Sequence, residues 1–497
     1  MNKGPPAGHG PRAPESPPGR PEPLDWTRLG RSARDTIRLA WPAAVSRTGI
    51  LLMMTVDTLL VGRFDARELA YFGLAMPVQI ILMMLGVGIL QGALVLTSQS
   101  YGAGRPERAG AIWRMALVYA GAVGLLFALA ATQGTALLRV TGQDPELIEG
   151  THGVLLQFAW GVPGMLLYIA SSYFLEGIRR PQVAMIVMVA ANGVNALLDW
   201  VFVFGAGDVV PPMGAEGAVL ATSIVRWLIF FAMLAYIAAM PDRDRFGVRA
   251  PIRDLLSSQS RSLGRGLRRL GLPIALALGV ETGAMASLML IAGRLGAVEV
   301  AATQVVMQIV QFVFMFAVGM GAATAVRVGI AVGARDMAGM RLAGWTGIVL
   351  ILCLDLPLAA LFALAPEAAA GIFVHDAAVL AVAGDGLRVA ALAVLVHGVM
   401  GVSLSALRGA GDVWTPFAFH SGAFWFVLVP LAAVLSLEMG RGVPGLMTGF
   451  LAGTALSASI MCVRFHALTR RRGAGRTAGS ERPGEHTETA PGRGRQP

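Results

Sequence analysis

Four polar side chains interrupt long apolar stretches and together could handle a small cation. Asp57 lies in TVDTLLVG, downstream of Pro42, and Asn195 and Asp199 lie in NALLD. Residues four apart share one helix face, so Asn195 and Asp199 point the same way. Thr222, in GAVLATS, adds a hydroxyl at comparable depth in the next apolar run. Two carboxylates, an amide and a hydroxyl form an oxygen cage. Such a cage suits a proton shared between carboxylates, or Na⁺, a hard cation that takes oxygen ligands. The competing reading is a hydrogen-bonded polar plug that holds three helices together.

A second group lies in the other half of the chain. Glu281 sits in LGVETGAMAS, just past Pro273, and His397 sits in AVLVHGVMG at similar depth in its own run. A Glu and a His facing one cavity can exchange protons near neutral pH. Each alone also reads as a satisfied polar core residue. Arg226, in SIVRWL one turn past Thr222, is a charge partner for Asp57 or Asp199, or else a structural clamp. Asp355, beside Pro357, reads as a cap on a kinked helix. Ionisable groups inside apolar spans are costly, so each needs a partner, a water-filled cavity or a function.

The elements carrying these residues are membrane-length runs. Of 497 residues, 55% are hydrophobic and 14% charged, against roughly 25% charged in a soluble domain. A bilayer-crossing helix needs about 20 apolar residues. Twelve spans are predicted, over 36–62, 71–101, 111–132, 151–177, 183–205, 215–240, 270–293, 300–332, 343–365, 385–408, 414–437 and 443–467. The fold class is an all-α polytopic membrane protein, its twelve transmembrane helices forming two pseudo-symmetric six-helix bundles. The domains read as a disordered cytoplasmic arm (1–35), an N-lobe (36–240), a cytoplasmic linker (241–268), a C-lobe (269–467) and a disordered basic tail (468–497).

The two bundles are copies. An offset of 231 residues carries Arg38–Ala103 onto Arg269–Ala334 without a gap, matching Pro42 with Pro273, Arg63 with Arg294, Glu68 with Glu299 and Gly88 with Gly319. The acids do not match. Asp57 falls on Leu288, and Glu281 on Ile50. Repeated bundles are the usual plan of a secondary transporter, with the substrate path between them. Six helices per copy is an even number, so the repeats are related by an axis along the membrane normal.

The net charge of +10 is not a nucleic-acid footprint, because arginines crowd the termini, the central loop and alternate short loops. That bias is the positive-inside pattern and leads to the expectation that both termini are cytoplasmic. Arg63, Arg67, Arg139, Arg294 and Arg441 are exceptions. Cys353 and Cys462 lie inside spans and read as buried packing residues, neither disulfide nor metal site. No phosphate loop, metal-spaced His/Cys cluster or nucleophile elbow is found, so the expectation is a transporter and not an enzyme, without cofactors. The 24 methionines and 21 phenylalanines suit adaptable apolar surfaces.

Several stretches carry a resemblance. They are LAWPAAVSRTGILLMMTVDTLLVG, SQSYGAGR, FLEGIRRPQ, VETG, the run QVVMQIVQFVFMFAVGMGAATAVRVGIAVGAR, and SALRGAGDV. In order and spacing they resemble the multidrug and toxic compound extrusion family, in its NorM-like bacterial branch, over roughly 36–467. The resemblance implies a V-shaped pair of lobes and cation-coupled export of cationic, amphipathic organic compounds by alternating access. It matches Asp57 to the family's first-helix acid, Asn195, Asp199 and Thr222 to its N-lobe cation site, and Glu281 to its seventh-helix acid. His397 stands where many NorM-type members place an aspartate, which weakens the C-lobe as a Na⁺ site and favours H⁺ over Na⁺. Ion binding at Asp57 and Asp199 is then expected to bend the first helix at Pro42. The expected partners are small organic substrates and membrane lipids, and the expected state is a monomer. The alternative is a related flippase or narrow-specificity exporter of a lipid-linked sugar or metabolite.

Overall fold

The computed structural model describes residues 26–140, 144–207, 209–250 and 258–477. Among them, twelve helices are long and apolar enough to cross a membrane. The first lobe holds α1 (Trp26–Phe64), α2 (Ala66–Gly102), α3 (Pro106–Thr132), the short α4 (Gly134–Val140), α5 (Pro145–Gly177), α6 (Pro181–Phe204) and α7 (Gly214–Ala239). The second holds α8 (Ser258–Gly293), α9 (Ala297–Gly333), α10 (Met337–Leu364), the short α11 (Pro366–Ala370) and α12 (Ala377–Gly409). It ends with an eleventh span over Trp414–Glu438 and with α15 (Gly442–Thr477). The eleventh span consists of α13 (Trp414–Ala423) and α14 (Val429–Ala433), each followed by a π-helical turn, Phe424–Leu428 and Val434–Glu438.

The internal repeat is visible in the boundaries. The offset of 231 carries Ala66, Gly102 and Pro106, the ends of α2 and the start of α3, onto Ala297, Gly333 and Met337. Three boundaries of the expected domains differ. Helix α8 begins at Ser258, inside the expected linker 241–268. Residues 26–35 of the expected arm are helical, and α15 runs to Thr477, into the expected tail. Pro-rich sequence before Trp26 and Gly/Arg-rich sequence after Arg470 obscured both ends. The rest of the arm and tail, and residues 251–257 of the linker, lie outside the described residues.

Local chemistry sets the helix ends. Asp65, Asp144, Asp336 and Asp376 cap α2, α5, α10 and α12 by accepting bonds from first-turn amides, each such cap being worth about 1 kcal/mol. At the other ends of α2, α5, α9 and α12 the chain turns through a left-handed residue: Gly104, Arg179, Arg335 and Gly411. In each case the next amide donates back to a carbonyl five residues earlier, as in Arg180 to Leu175 (2.8 Å) and Asp336 to Ala331 (2.8 Å). This closes the orphan carbonyls of a helix end.

The same ends, rich in arginine, form the seam between the lobes. Arg327 of α9 donates to the Ser32 carbonyl (2.9 Å) and to the hydroxyls of Ser32 and Thr36 in α1. Gln99 of α2 donates to the Gly409 carbonyl (3.0 Å) and Arg408 of α12 to Gln91 (3.3 Å). Backbones meet directly there. A Cβ added at Gly102 would sit 2.1 Å from the Ile330 carbonyl oxygen, and one at Gly271 would sit 2.0 Å from that of Ile89. Asp57 lies beyond this seam on α1, and Glu281 stands two residues past Gly279, whose Cβ position meets Leu85 of α2. The outer surface is apolar, with Leu126, Ile186, Leu197 and Leu290 well exposed, as lipid-facing helices require.

Candidate functional site

In the first lobe α1, α6 and α7 bring the four predicted residues into one buried cluster. Asp57, Asn195, Asp199 and Thr222 are between 0% and 4% exposed. The Asn195 amide nitrogen donates to Asp57 Oδ1 at 3.1 Å and also to Asp199 Oδ2, one turn along the same helix. The Thr222 hydroxyl lies 2.8 Å from Asp57 Oδ2 and 3.2 Å from Asn195 Oδ1, and its single hydrogen serves one of them at a time. Three hydrogens, two from the amide and one from the hydroxyl, therefore face five acceptors, four carboxyl oxygens and the amide oxygen. Asp199 Oδ1 is left with no partner. A buried carboxyl oxygen without a donor is costly, and one added proton or cation would satisfy it.

Arg226 is near this cluster without joining it. Among the described residues no carboxylate lies within ion-pair distance of it, its Nη1 has no hydrogen-bond partner, and its guanidinium lies 5.3 Å from the Phe158 ring centre. Of the two readings of Arg226, an ion pair with Asp57 or Asp199 is not formed among the described residues. Stacking on the ring occupies the side chain, because the aromatic face attracts a cation. Pro42 is buried within α1, which continues through it without a break. Fifteen residues of helix separate Pro42 from Asp57, about 22 Å along the axis. Proline removes one backbone hydrogen bond from that helix.

In the second lobe Glu281 of α8 stands between two histidines. His397 Nε2 of α12 lies 3.9 Å from its Oε1, and His420 Nε2 of α13 lies 3.5 Å from its Oε2. Both imidazoles are buried, and neither Nε2 has a hydrogen-bond partner. His397 stacks flat on Phe314 at 4.0 Å and meets the edge of Phe450. His420 turns its Nδ1 to the Ser457 hydroxyl of α15 at 3.0 Å. Sequence reasoning singled out Glu281 and His397 and passed over His420. The only sequence signal was a histidine in the middle of an apolar span, the same signal that drew attention to His397. Leu288, fully buried, fills the position that corresponds to Asp57. The second polar site therefore sits about two helical turns from the place the repeat would give it.

Other residues depart from expectation. Asp355 is not a cap. It lies inside α10, is 1% exposed, and leaves Oδ1 without a partner. Its Oδ2 presses on α12, where a Cβ at Gly398 would sit 2.1 Å away. Cys353 is not a buried packing residue but is exposed on the apolar outer face, whereas Cys462 packs, partly buried, against the buried cluster that contains Ile351 and Val402. Both are free thiols. Cysteine is apolar enough to face lipid as readily as core. A further buried ion pair was not anticipated: Arg47 of α1 and Glu176 of α5, 3.2 Å apart, with Ser172 also donating to Glu176 at 3.0 Å.

Comparison with known proteins fits this architecture. The MatE family model matches residues 42–201 and 273–434, one copy per lobe. The chain is 33% identical over 439 residues to a "Probable multidrug resistance protein NorM" of Caulobacter vibrioides, covering 88% of this chain and 92% of that one. It is 32% identical over 441 residues to the protein of the same name from Bradyrhizobium diazoefficiens, covering 88% and 94%. Among solved structures, the eukaryotic MATE transporter AtDTX14 superposes with a TM-score of 0.80 at 18% identity, over 89% of this chain and 98% of that one. An outward-facing multidrug resistance MATE transporter of the MOP superfamily superposes with a TM-score of 0.81 at 20% identity, over 90% and 99%. The chain belongs to the MatE family, as a membrane transporter and not an enzyme.

Proposed function

We propose that this protein is an H⁺-coupled antiporter that exports cationic, amphipathic organic compounds from a bacterial cell, with both termini in the cytoplasm. The buried Asp57, Asn195, Asp199 and Thr222 cluster is the observation that carries this reading, because its acceptors outnumber its donors. A proton on either carboxyl adds the missing donor. Na⁺ fits less well: the Asn195 amide nitrogen already occupies the space between the two carboxyl groups, and its oxygen would have to turn inward for the cage to coordinate metal. In the second lobe two imidazoles face Glu281, and imidazole is a poor ligand for a hard cation. The NorM relatives, named for multidrug resistance, support the substrate class.

In the proposed cycle the seam at the arginine-rich ends closes the cytoplasmic side, and both sites are reached from outside. A proton entering from outside neutralises a carboxyl in each lobe and removes the attraction for a cationic compound, which leaves. Protonation also rebalances the hydrogen bonds that hold α1 against α6 and α7, and α1 bends at Pro42. A ligand can drive this change only through its different affinity for the two states. Proton release inside restores the carboxylates, which again draw in the organic cation. Expression in a drug-sensitive strain tests the reading. Wild type is expected to lower cellular ethidium, and Asp57→Asn, which cannot cycle a proton at that position, is expected to lose the effect at equal membrane level. Retained efflux in Asp57→Asn would remove the first-lobe cluster from the mechanism.

A further inference from the structure

We propose that His420 is a proton-carrying residue of the second-lobe site, on a par with Glu281 and His397, with Ser457 holding its Nδ1; this rests on the H⁺-coupled reading above. Three observations converge. The His420 ring is fully buried, its Nε2 points at Glu281 Oε2 from 3.5 Å, and that nitrogen has no other partner. Its other nitrogen is committed to Ser457 Oγ at 3.0 Å. Glu281 is thereby addressed from both oxygens, Oε1 by His397 and Oε2 by His420, while its own side chain keeps 18% exposure. It is the member of the trio best placed to receive a proton from water or to meet a substrate.

The chemistry follows from the hydrogen bond at Nδ1. When neutral His420 donates its Nδ1 hydrogen to Ser457 Oγ, Nε2 presents a lone pair to Glu281 Oε2. An incoming proton then lies between those two atoms, on oxygen or on nitrogen, and one negative charge is lost from the site in either case. When it leaves, the carboxylate recovers its charge and Nε2 its lone pair, so no other reactant is needed. His397 offers a second, independent lone pair to Oε1. The charged and titratable groups acting on Glu281 are these two histidines and the more distant Arg408 of α12. The side chain facing His420 from α15 is Ser457, and the Phe424 ring covers it at 4.3 Å. Histidine with one nitrogen fixed by a neighbour is the usual arrangement for directing the other to a proton or ligand.

The test counts protons. Full-length transporter in nanodiscs, in weak buffer with a pH dye, receives ethidium, and protons released per molecule bound are measured for wild type, Asp57→Asn, His420→Gln and Ser457→Ala. At a pH where Glu281 without its imidazole partner is already ionised, His420→Gln is expected to bind ethidium but release about one proton fewer than wild type, because glutamine is no base and cannot share the proton with Glu281. Ser457→Ala keeps the imidazole and is expected to move the pH at which ethidium leaves. If His420→Gln binds ethidium with the wild-type proton count, the proposal is wrong. Should that variant fail to fold, an unmoved pH profile in Ser457→Ala overturns it instead. Wild type that releases no proton at all would sink the H⁺-coupled reading as well. Release that falls in Asp57→Asn but not in His420→Gln would sink this inference alone.

Discussion

Replacing Asn195 by leucine probes the first-lobe cluster most selectively, because this amide donates to both carboxyl groups. Its loss strands Asp57 Oδ1, which accepts at 3.1 Å, and leaves Asp199, whose Oδ1 already lacks a donor, with no hydrogen bond at all. Asp57 keeps Thr222 at 2.8 Å. Hydrogen bonds to charged groups contribute about 1.5–3 kcal/mol each. Two are removed, so the loss should be about 3 kcal/mol or more, with proton uptake by the stranded pair recovering part of it. That corresponds to a drop in thermal unfolding midpoint of roughly 6 °C for a lobe of this size. Adding Asp199→Asn should restore at least half the loss, because a neutral amide no longer opposes Asp57 across the gap. Light-scattering or tryptophan-fluorescence melts of purified protein in detergent read both values. A midpoint within 1 °C of wild type for Asn195→Leu, or no rescue by Asp199→Asn, would refute the hydrogen-bond accounting.

Two further predictions follow from other parts of the fold. Arg47→Ala leaves Glu176, 4% exposed, as a buried carboxylate whose remaining donor is Ser172, and should cost about 3–5 kcal/mol; the double change Arg47→Met with Glu176→Leu should recover most of that in the same melts, and an unchanged single mutant would count against a buried pair. Gly271→Val adds atoms where a Cβ would lie 2.0 Å from the Ile89 carbonyl oxygen. Spin labels placed at positions 105 and 335, on a background without native cysteines, should then report a wider separation of the arginine-rich ends, and an unchanged distance distribution would show that the seam does not depend on this approach.

Much of the site could be read in the sequence because its chemistry repeats within single helices. Asn195 and Asp199 announce a shared face by spacing alone, and Asp57 and Thr222 stand out as polar residues deep in apolar runs. The contacts that remained hidden depend on packing between helices far apart in the chain. His420 meets Glu281 because of how the eleventh span is seated, and that span carries two π turns around Pro430, which lacks an amide hydrogen. Gly445, Gly449 and Gly453 make a small-residue stripe on α15 into which this span presses, a Cβ at Gly449 coming within 2.5 Å of the Ala432 nitrogen. No single-helix periodicity reports such a fit. Arg226 stayed undecided for a related reason, since sequence could not choose between a carboxylate partner and a structural role, and the Phe158 ring that it stacks on lies on another helix. The duplicated scaffold was plain from the offset of 231, yet the second lobe built its polar site elsewhere, because Leu288 occupies the place of Asp57.

The central claim, that a buried carboxyl cluster couples export to protons, is tested most directly with purified protein in proteoliposomes loaded with ethidium. A pH gradient and a Na⁺ gradient are imposed separately, each at zero membrane potential, on wild type and on Asp199→Asn. The account predicts ethidium transport driven by the pH gradient alone and abolished in Asp199→Asn. Transport that requires the Na⁺ gradient and ignores the pH gradient would contradict it.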